Sequence, residues 1–369
     1  MLRPIDTDTN VCINWLHPGP REAAVPVTIR DVARASGVHV STVSRTFSAP
    51  HLVNPDTRDR VLASAEELGY RPNRAARALI TGRTHNVGLI VADIANPFFP
   101  PLIKAAESQA RLRDYHVFIA DTNEDPAVEA ELVQALAKQV DGILLCSPRM
   151  SNDLIEQMRR VVPLVVINRL VENLPAVLMD VHHGARLAVE HLVALGHRDL
   201  ALLAGPRGSW TSREIRRSAA ATARAAGAAL TVLGPNQPTE DAGAAAADPV
   251  RRTGATAVLA YNDLLAIGLL EGLERLKVRV PAELSVVGID DTLARFARPR
   301  LTTVATPAAA AGRAAVDMLL RHGDDRRTTA QVTLRTELVV RDSTGPGPHR
   351  PAARPGATAA YAVAGHLKE

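Results

Sequence analysis

Residues 28–47, TIRDVARASGVHVSTVSRTF, decide the fold of the N-terminal part of this chain of 369 residues. Apolar residues recur at helical spacing over 29–33, and Thr28 stands before them as an N-cap. Gly37 follows where the helix must end and the backbone needs a positive φ. A second helix is predicted from about Val40 to Phe47. Two short helices joined by a tight turn are typical of a helix-turn-helix, whose second helix lies in the major groove of DNA.

The outward face of the second helix carries residue types that suit the reading of bases. Val40 offers methyl groups to thymine, Ser41 and Ser44 offer hydroxyl groups, and Arg45 can bind O6 and N7 of guanine. The alternative is an ordinary helical hairpin with a solvated polar face. Between Val27 and Arg83 there are nine arginines, no lysine and five acids, a net charge of +4 that favours a DNA partner.

A third helix is predicted after Asn54, because Asn54-Pro55 followed by an acid is a typical helix start. Gly69 ends it. Four residues are predicted to form its apolar face: Val61, Leu62, Ala65 and Leu68.

The next stretch, NRAARALITGRT at 73–84, is short, rich in alanine and marginal as a free helix. One interpretation is a plain linker between domains. The other is a hinge helix, capped by Asn73, that folds on DNA and inserts Leu79 into a base step of the minor groove.

Composition bounds the class of protein. The length allows two or three domains, and the only cysteines, Cys12 and Cys146, lie far apart, which fits a reducing cytoplasm. The longest apolar runs have the length of strands, so no membrane span is expected. Residues 1–26 show neither periodicity nor a signal peptide and are predicted to be a disordered extension, with a start codon near Val25 or Val27 as a second hypothesis. Residues 343–369, rich in Gly, Pro and Ala, are predicted to be a disordered tail.

Between these ends the sequence alternates strand-like and helical stretches. Mostly unbroken apolar strands indicate parallel sheets covered on both faces, and eleven strands would overfill one sheet, so two α/β lobes are expected. Ligands of such folds bind in the cleft outside the carboxyl ends of the strands. The strand-like runs are VGLIVAD (87–93), HVFIADT (116–122), GILLCSP (142–148), PLVVINR (163–169), AVLMD (176–180), LALLAG (200–205), ALTVLG (229–234), AVLAYND (257–263), LSVVGID (284–290), LTTVAT (301–306) and QVTLRTELVV (331–340).

Several motifs together resemble the lactose-repressor (LacI/GalR) family of bacterial regulators. They are IRDVARASGV, TVSR, NPDTRDRVLASAEELGYRPNRAARAL and NVGLIVADIANPFF, and the likeness runs in order from about Val27 to Asp342. The resemblance implies a small all-α helix-turn-helix headpiece (27–71), a hinge helix and linker (72–84), and a periplasmic-binding-protein-like core of two doubly wound parallel-sheet lobes (85–342).

The same resemblance implies how the core is divided. An N-lobe is expected at about 85–168 and 291–321, and a C-lobe at about 169–290 and 322–342. The chain would then cross between the lobes near Asn168, Asp290 and Arg321.

The resemblance also implies site residues. DNA contacts are expected from Thr28, His39, Val40, Ser41, Thr42, Ser44, Arg45, Asn54, Asn73, Ala76, Arg77 and Leu79. Ligand contacts are expected from Asp93, Phe98, Phe99, Arg169, Trp210, Arg213, Asn262, Asp263 and Asp290. Carboxylates and arginine forks bind paired hydroxyl groups, and aromatic faces stack on sugar rings.

Some alternatives stay open. Asp93 and Asp263 suit the capping of a following helix as well as they suit ligand contact. Trp210 suits either a place in the cleft or a place over the core. The chain also departs from the family pattern, with Asn168-Arg169 where Asp-Arg is frequent, Ser218-Ala219 where Gly-Phe is frequent, and His39 where Ser is common.

No enzyme signature competes with this interpretation. GxxxxGK[ST], GxSxG, HExxH, CxxC and a GxGxxG after the first strand are all absent, and the histidines are not spaced as a metal site. The sequence therefore predicts a cytoplasmic, nucleoid-associated homodimer that regulates transcription, most simply as a repressor, without enzyme activity or cofactor. It would bind a palindromic operator and a sugar or sugar derivative. The rivals are a sugar-binding protein of a transport system, against which the headpiece argues, and an enzyme fused to a DNA-binding domain.

Overall fold

The computed structural model describes residues 27–71, 82–322 and 329–348. The chain separates into two compact units, Met1–Gly82 and Arg83–Glu369. The expected N-terminal extension, most of the expected hinge, and the tail beyond residue 348 lie outside the described residues.

The first unit is a bundle of three helices, called the headpiece below. Its elements are α1 (Ile29–Ser36), α2 (Val40–Ser48), a short 3-10 helix (Pro50–Leu52) and α3 (Pro55–Glu67). At the start of α1 the Asp31 carboxylate accepts hydrogen bonds from the Thr28 backbone N–H (2.9 Å) and hydroxyl (2.6 Å). Gly37 ends the helix at φ 66°, the left-handed conformation that the sequence predicted.

The headpiece core is small. Val32, Val43 and Val61 are fully buried, one from each helix. The predicted apolar face of α3 was wrong in part, because Leu62 and Leu68 are 41% and 36% exposed. Leu62 lies next to Val61 and so points about 100° away around the helix, and Leu68 lies at the end of the helix.

The second unit contains twelve strands, nine further α-helices and one 3-10 helix (Ala294–Phe296) among its described residues. The strands are β1 (Asn86–Val91), β2 (His116–Asp121), β3 (Gly142–Cys146), β4 (Leu164–Ile167), β5 (Ala176–Met179), β6 (Asp199–Leu203), β7 (Ala229–Leu233), β8 (Ala257–Ala260), β9 (Ser285–Asp290), β10 (Thr302–Ala305), β11 (Gln331–Leu334) and β12 (Glu337–Val339). The helices are α4 (Phe99–Arg111), α5 (Pro126–Leu136), α6 (Asn152–Arg159), α7 (Val181–Ala194), α8 (Trp210–Ala225), α9 (Glu240–Ala245), α10 (Ala247–Thr253), α11 (Asp263–Arg275) and α12 (Ala308–His322).

These strands form two six-stranded sheets, which confirms the two α/β lobes. The first lobe has the order β11-β5-β4-β3-β1-β2, with every pairing parallel. The second lobe has the order β12-β10-β9-β8-β6-β7, and β12 is its one antiparallel strand, paired with β10. Central strands such as β3, β4 and β8 are buried throughout, as expected for sheets covered on both faces.

The expected division of the chain between the lobes was wrong in part, for β5, β10 and β11. Strand β5 continues the first lobe by parallel pairing with β4, and β11 pairs with β5, although both were assigned to the C-lobe. Strand β10 pairs with β9 in the second lobe, although 291–321 was assigned to the N-lobe. The chain passes between the lobes after Met179, Ala305 and Leu334 and not near Asn168, Asp290 and Arg321. Both sheets have buried apolar strands, so the hydrophobic pattern cannot say to which sheet a strand belongs.

The run 331–340, predicted as one strand, is two strands in different sheets. The break falls at Arg335-Thr336, between β11 and β12. Thr336 is fully buried, and its hydroxyl donates to the backbone carbonyl of Asp180 (2.8 Å). A polar side chain held in this way fixes the point at which the chain changes lobes.

The residues just after β12 are packed, which corrects the expectation of disorder from residue 343. Ser343 is fully buried and donates from its hydroxyl to the carbonyl of Val286 (2.6 Å). The backbone N–H of Gly347 donates to the carbonyl of Leu195 (2.7 Å). Residues 343–347 therefore form a segment docked on the second lobe. Within the described ranges, no helix is both long and apolar enough to cross a membrane.

Candidate functional site

The headpiece presents the exposed face of α2. His39 caps the helix, because its Nδ1 accepts from the Ser41 backbone N–H (3.3 Å) and contacts the Ser41 hydroxyl (2.8 Å). Ser41 and Arg45 are exposed, and Arg45 forms no ion pair with any residue that the structure describes. Val40 is half-buried and packs against the headpiece core. Arg45 is therefore the residue of this face that is best placed to reach outward.

The other predicted DNA contacts divide into three groups. Thr42 and Ser44 are half-buried on α2. Thr28 and Asn54 act as helix caps, and the Asn54 side chain accepts from the Asp56 backbone N–H (3.0 Å). Asn73, Ala76, Arg77 and Leu79 lie outside the described residues.

The core contains a cleft of about 480 Å³ between the carboxyl ends of the strands of both lobes, part of it open to solvent. Four predicted ligand residues line it: Phe98, Phe99, Asn262 and Asp290. The two phenylalanine rings meet edge to face with their centroids 5.0 Å apart. Asn262 caps α11 by accepting from the Leu265 backbone N–H (3.0 Å). The cleft therefore has an aromatic wall and polar groups at strand ends.

Asp290 ends β9 in an unusual conformation. Its φ of 119° is strained for a residue with a side chain. Its carboxyl group accepts no hydrogen bond from any described residue, and burial, reinforced by the nearby Asp263 carboxylate, raises its pKa well above the ordinary value. A desolvated carboxyl group without a protein partner is suited to binding a ligand.

Five predicted ligand residues do not line the cleft: Asp93, Arg169, Trp210, Arg213 and Asp263. Asp93 caps a local turn by accepting from the Ala95 backbone N–H (2.9 Å). Asp263 is buried and accepts from the Thr303 hydroxyl (2.6 Å) and the Thr292 backbone N–H (2.9 Å). Burial raises the pKa of Asp263 to about 7. These contacts tie α11 to β10 and to the loop after β9.

The other three residues, Arg169, Trp210 and Arg213, also lie outside the lining of the cleft. The Arg169 guanidinium donates to the carbonyls of Pro148 (2.9 Å) and Met150 (2.7 Å), and its burial lowers its pKa. Trp210 begins α8 and packs against the core, and Arg213 is exposed in the first turn of that helix.

Eight described polar residues of the cleft wall were not predicted as ligand contacts: Asn96, Glu124, Ser147, Arg149, Asn168, Thr211, Tyr261 and Thr306. Arg149 and Glu124 form a two-point ion pair, one bond of which is 2.8 Å from Nη2 to Oε1. The Asn168 Oδ1 atom is buried and has no hydrogen-bond partner. The sequence contained a signal for two of them, which is a polar residue at the carboxyl end of a strand. Arg149 follows β3 and Tyr261 follows β8, just as Asp290 ends β9.

Comparisons with known proteins identify the two units. Residues 28–73 match the model of bacterial regulatory proteins of the lacI family, and residues 189–344 match that of a periplasmic binding protein-like domain. The HTH-type transcriptional regulator GalS of Salmonella typhimurium is 34% identical, over 80% of this chain and 89% of that protein. The HTH-type transcriptional regulator DegA of Bacillus subtilis is 33% identical, over 86% of this chain and 98% of that protein.

Solved structures agree. A lac repressor dimer bound to operator and the anti-inducer ONPF superposes with a TM-score of 0.80 and 27% identity, covering 87% of this chain and 100% of that chain. A complex of the transcriptional regulator CelR with cellobiose gives a TM-score of 0.65 and 29% identity, covering 86% of this chain and 99% of that chain. The exposed helix of the headpiece, the cleft at the strand ends and these likenesses agree, and the chain belongs to the lacI family of DNA-binding transcriptional regulators.

Proposed function

We propose that this regulator is a repressor whose DNA binding is controlled by a polyhydroxylated small molecule, a sugar or sugar derivative, bound in the cleft. The headpiece supplies the DNA side of this function. Arg45 would read a base in the major groove, and other arginines of the headpiece would contact phosphates and supply salt-sensitive affinity. The protein would act on the nucleoid.

The main observation in support of a sugar effector is that polar groups in the cleft lack hydrogen-bond partners. The Asn168 Oδ1 atom is buried without a partner, and the Asp290 carboxyl group accepts no hydrogen bond from a described residue. The two residues come from different lobes. A buried polar group without a partner costs roughly 1–3 kcal/mol, so a ligand that supplies hydroxyl groups is stabilised there. Phe98 and Phe99 offer an apolar face to a sugar ring. Related structures bind such molecules, including cellobiose and ribose.

Both sheets end in a strand with exposed apolar side chains, which supports a homodimer. Phe118 and Ile119 of β2 are 41% and 44% exposed, and Val232 of β7 is 41% exposed. Exposed apolar edge strands favour association, and a second copy of this chain would cover them. A dimer with two headpieces matches a palindromic operator.

The coupling would run through the cleft and the hinge. A ligand that contacts both lobes changes their arrangement, and the arrangement in a dimer sets the spacing of two headpieces. The hinge residues, with Leu79 as the proposed minor-groove wedge, remain a sequence prediction.

The proposal is tested by titrating uncharged sugars against the full chain bound to a labelled operator duplex. A sugar that changes operator affinity by about tenfold or more, a coupling within the usual range, is the expected result. If sugars bind but never alter DNA binding, the cleft serves only as a binding module, as in the rival transport protein. If no sugar binds, the effector belongs to another chemical class.

A further inference from the structure

The cleft contains one arginine that neither the sequence pattern nor the comparisons assign to a ligand. Arg149 lies in the loop after β3, and only 6% of its side chain is exposed. A guanidinium group has five N–H donors. Glu124 accepts two of them and the carbonyl of Ser147 accepts a third (2.7 Å). Two donors of a buried cation therefore have no partner among the described residues.

Two buried side chains, Glu129 and Arg169, hold the backbone of the loop that carries Arg149. The Glu129 carboxylate accepts from the backbone N–H of Arg149 (2.7 Å) and of Met150 (3.2 Å). Arg169 donates to the carbonyls of Pro148 and Met150. Glu129 and Arg169 are both nearly fully buried. They are positioning residues, because they fix the loop backbone and thereby the direction of the Arg149 side chain.

Arg149 also lies against the second lobe. A Cβ atom added to Gly208 would lie 3.5 Å from the Arg149 Cδ, so the loop before α8 passes directly over the arginine. Tyr261, at the end of β8, lines the same cleft and contacts the Ser209 hydroxyl (3.2 Å). A ligand that binds Arg149 is therefore placed between the two lobes.

The charge of the cleft wall limits which ligands can use these donors. Among the described residues that line it, the ionisable ones are one cation, Arg149, and two acids, Glu124 and Asp290, apart from the Tyr261 hydroxyl. Because Glu124 already neutralises Arg149, a phosphate dianion would meet no excess positive charge and would lose its hydration. Neutral hydroxyl oxygens accept from the free donors without that cost.

We propose that Arg149, held by Glu124, is a specificity-determining residue of the effector site, which binds two neighbouring hydroxyl oxygens and selects uncharged sugars over their phosphate esters. This inference rests on the proposed function of the cleft. It adds that the effector is uncharged and that Arg149 is the residue that selects it.

The test uses isothermal titration calorimetry on the full chain with a panel of uncharged pentoses, hexoses and disaccharides and the monophosphate ester of each monosaccharide. The variants are Arg149→Lys, which keeps the charge but removes the fork, and Glu124→Gln, which removes the neutralising charge. Arg207→Lys, an exposed arginine outside the cleft, is the matched control. Thermal unfolding and DNA binding of each variant show whether it is folded.

The wild type is expected to bind an uncharged sugar and to bind its phosphate ester more weakly. Arg149→Lys should lose about tenfold or more in affinity for that sugar, while Arg207→Lys binds as the wild type does. Glu124→Gln should shift the preference toward the phosphate ester. If Arg149→Lys does not fold, two other results test the inference. They are the preference of the wild type for the uncharged sugar over its phosphate ester, and the shift of that preference in Glu124→Gln.

Two results would overturn the inference alone: a wild type that prefers the phosphate ester, or a folded Arg149→Lys variant that binds the uncharged sugar at wild-type strength. A wild type that binds DNA but no member of the panel would overturn the proposed sugar effector, and this inference with it.

Discussion

The hydroxyl of Thr211 donates to the backbone carbonyl of Asn168 over 3.3 Å, and this bond joins the two lobes directly at the cleft. Asn168 follows β4 in the first lobe and has a positive φ of 59°, whereas Thr211 lies in the first turn of α8 in the second lobe. Both residues are buried. The lobes therefore meet through a specific hydrogen bond beside the unpaired Asn168 Oδ1 atom.

Thr211→Val should weaken effector binding by about 0.5–1.5 kcal/mol, because it removes this bond while keeping the shape of the side chain. Calorimetry with a sugar that binds the wild type measures the loss. Thr222→Val, on the same helix but away from the cleft, is the control. Equal affinities for all three proteins would show that the bond does not help to hold the cleft.

Asp290→Asn should weaken or abolish the effector response and leave DNA binding intact. The side chain keeps its size but loses the carboxyl group that faces the cleft without a protein partner. Operator binding with and without the sugar measures the response. Asp93→Asn is the control, because Asp93 caps a local turn outside the cleft. A normal response in the Asp290 variant would remove this residue from the site.

Arg45→Ala should weaken specific DNA binding by about 1–3 kcal/mol and relax the preference at one base position. The reason is that an exposed guanidinium on α2 can bind guanine through two hydrogen bonds. Fluorescence anisotropy on the operator and on single-base variants of it measures both effects. An equal loss on every sequence would mean that Arg45 contacts phosphate only.

The free energy of unfolding of the second lobe should decrease as the pH is lowered below about 6.5, because His197 is buried among uncharged hydrogen-bonding groups. Its ring contacts the Thr256 hydroxyl (2.9 Å), the Ser285 hydroxyl (3.0 Å) and the Gly345 carbonyl (3.1 Å). Burial lowers the pKa of His197, so the unfolded chain takes up a proton at a higher pH than the folded chain does.

The contribution of His197 to stability is therefore complete at a pH above its pKa in the unfolded chain. It is lost, by about 1.4 kcal/mol per pH unit, as the pH falls from that value toward the lower pKa of His197 in the folded chain. Urea unfolding of wild type and His197→Gln at pH 8 and pH 5.5 should show a smaller difference at the lower pH. His182→Gln, an exposed histidine of the same lobe, is the control. A difference that does not change with pH would contradict the prediction.

Truncation after Asp342 should destabilise the core, whereas truncation after Pro348 should not. The shorter chain loses Ser343, whose hydroxyl and backbone pair with Val286, and Gly345, whose carbonyl faces His197. Each buried group left unpaired costs roughly 1–3 kcal/mol. Thermal unfolding of both truncated chains measures the effect, and equal melting temperatures would show that the docked segment contributes nothing.

The elements of the headpiece were predictable because their signals are local. A cap at Thr28, a left-handed glycine at position 37 and apolar side chains three or four residues apart determine the helices within a few turns. Most strands of the core were predictable for the same reason, since each is a short apolar run, but the two strands within 331–340 were not separated. Sheet membership is not local. Strand β5 could join either sheet by hydrophobicity, and only its pairing with β4 decides the question.

The cleft was predictable in position but only partly in its residues. The rule that polar groups at strand ends form the site identified Asp290 and Asn262, and it applies equally to Arg149, which was not chosen. It also selected Asp263 and Arg169, whose polar atoms are largely used within the protein. The direction of a long side chain depends on contacts such as that between Glu124 and Arg149, which join parts of the chain that are distant in sequence.

Regulation of specific DNA binding by a sugar is tested most directly by selecting the full chain on a random duplex library at near-physiological salt, in parallel with and without the panel of uncharged sugars. We expect that a palindrome is enriched and that at least one sugar changes its recovery. Enrichment that no sugar alters, or only weak binding without sequence preference under every condition, would contradict this expectation.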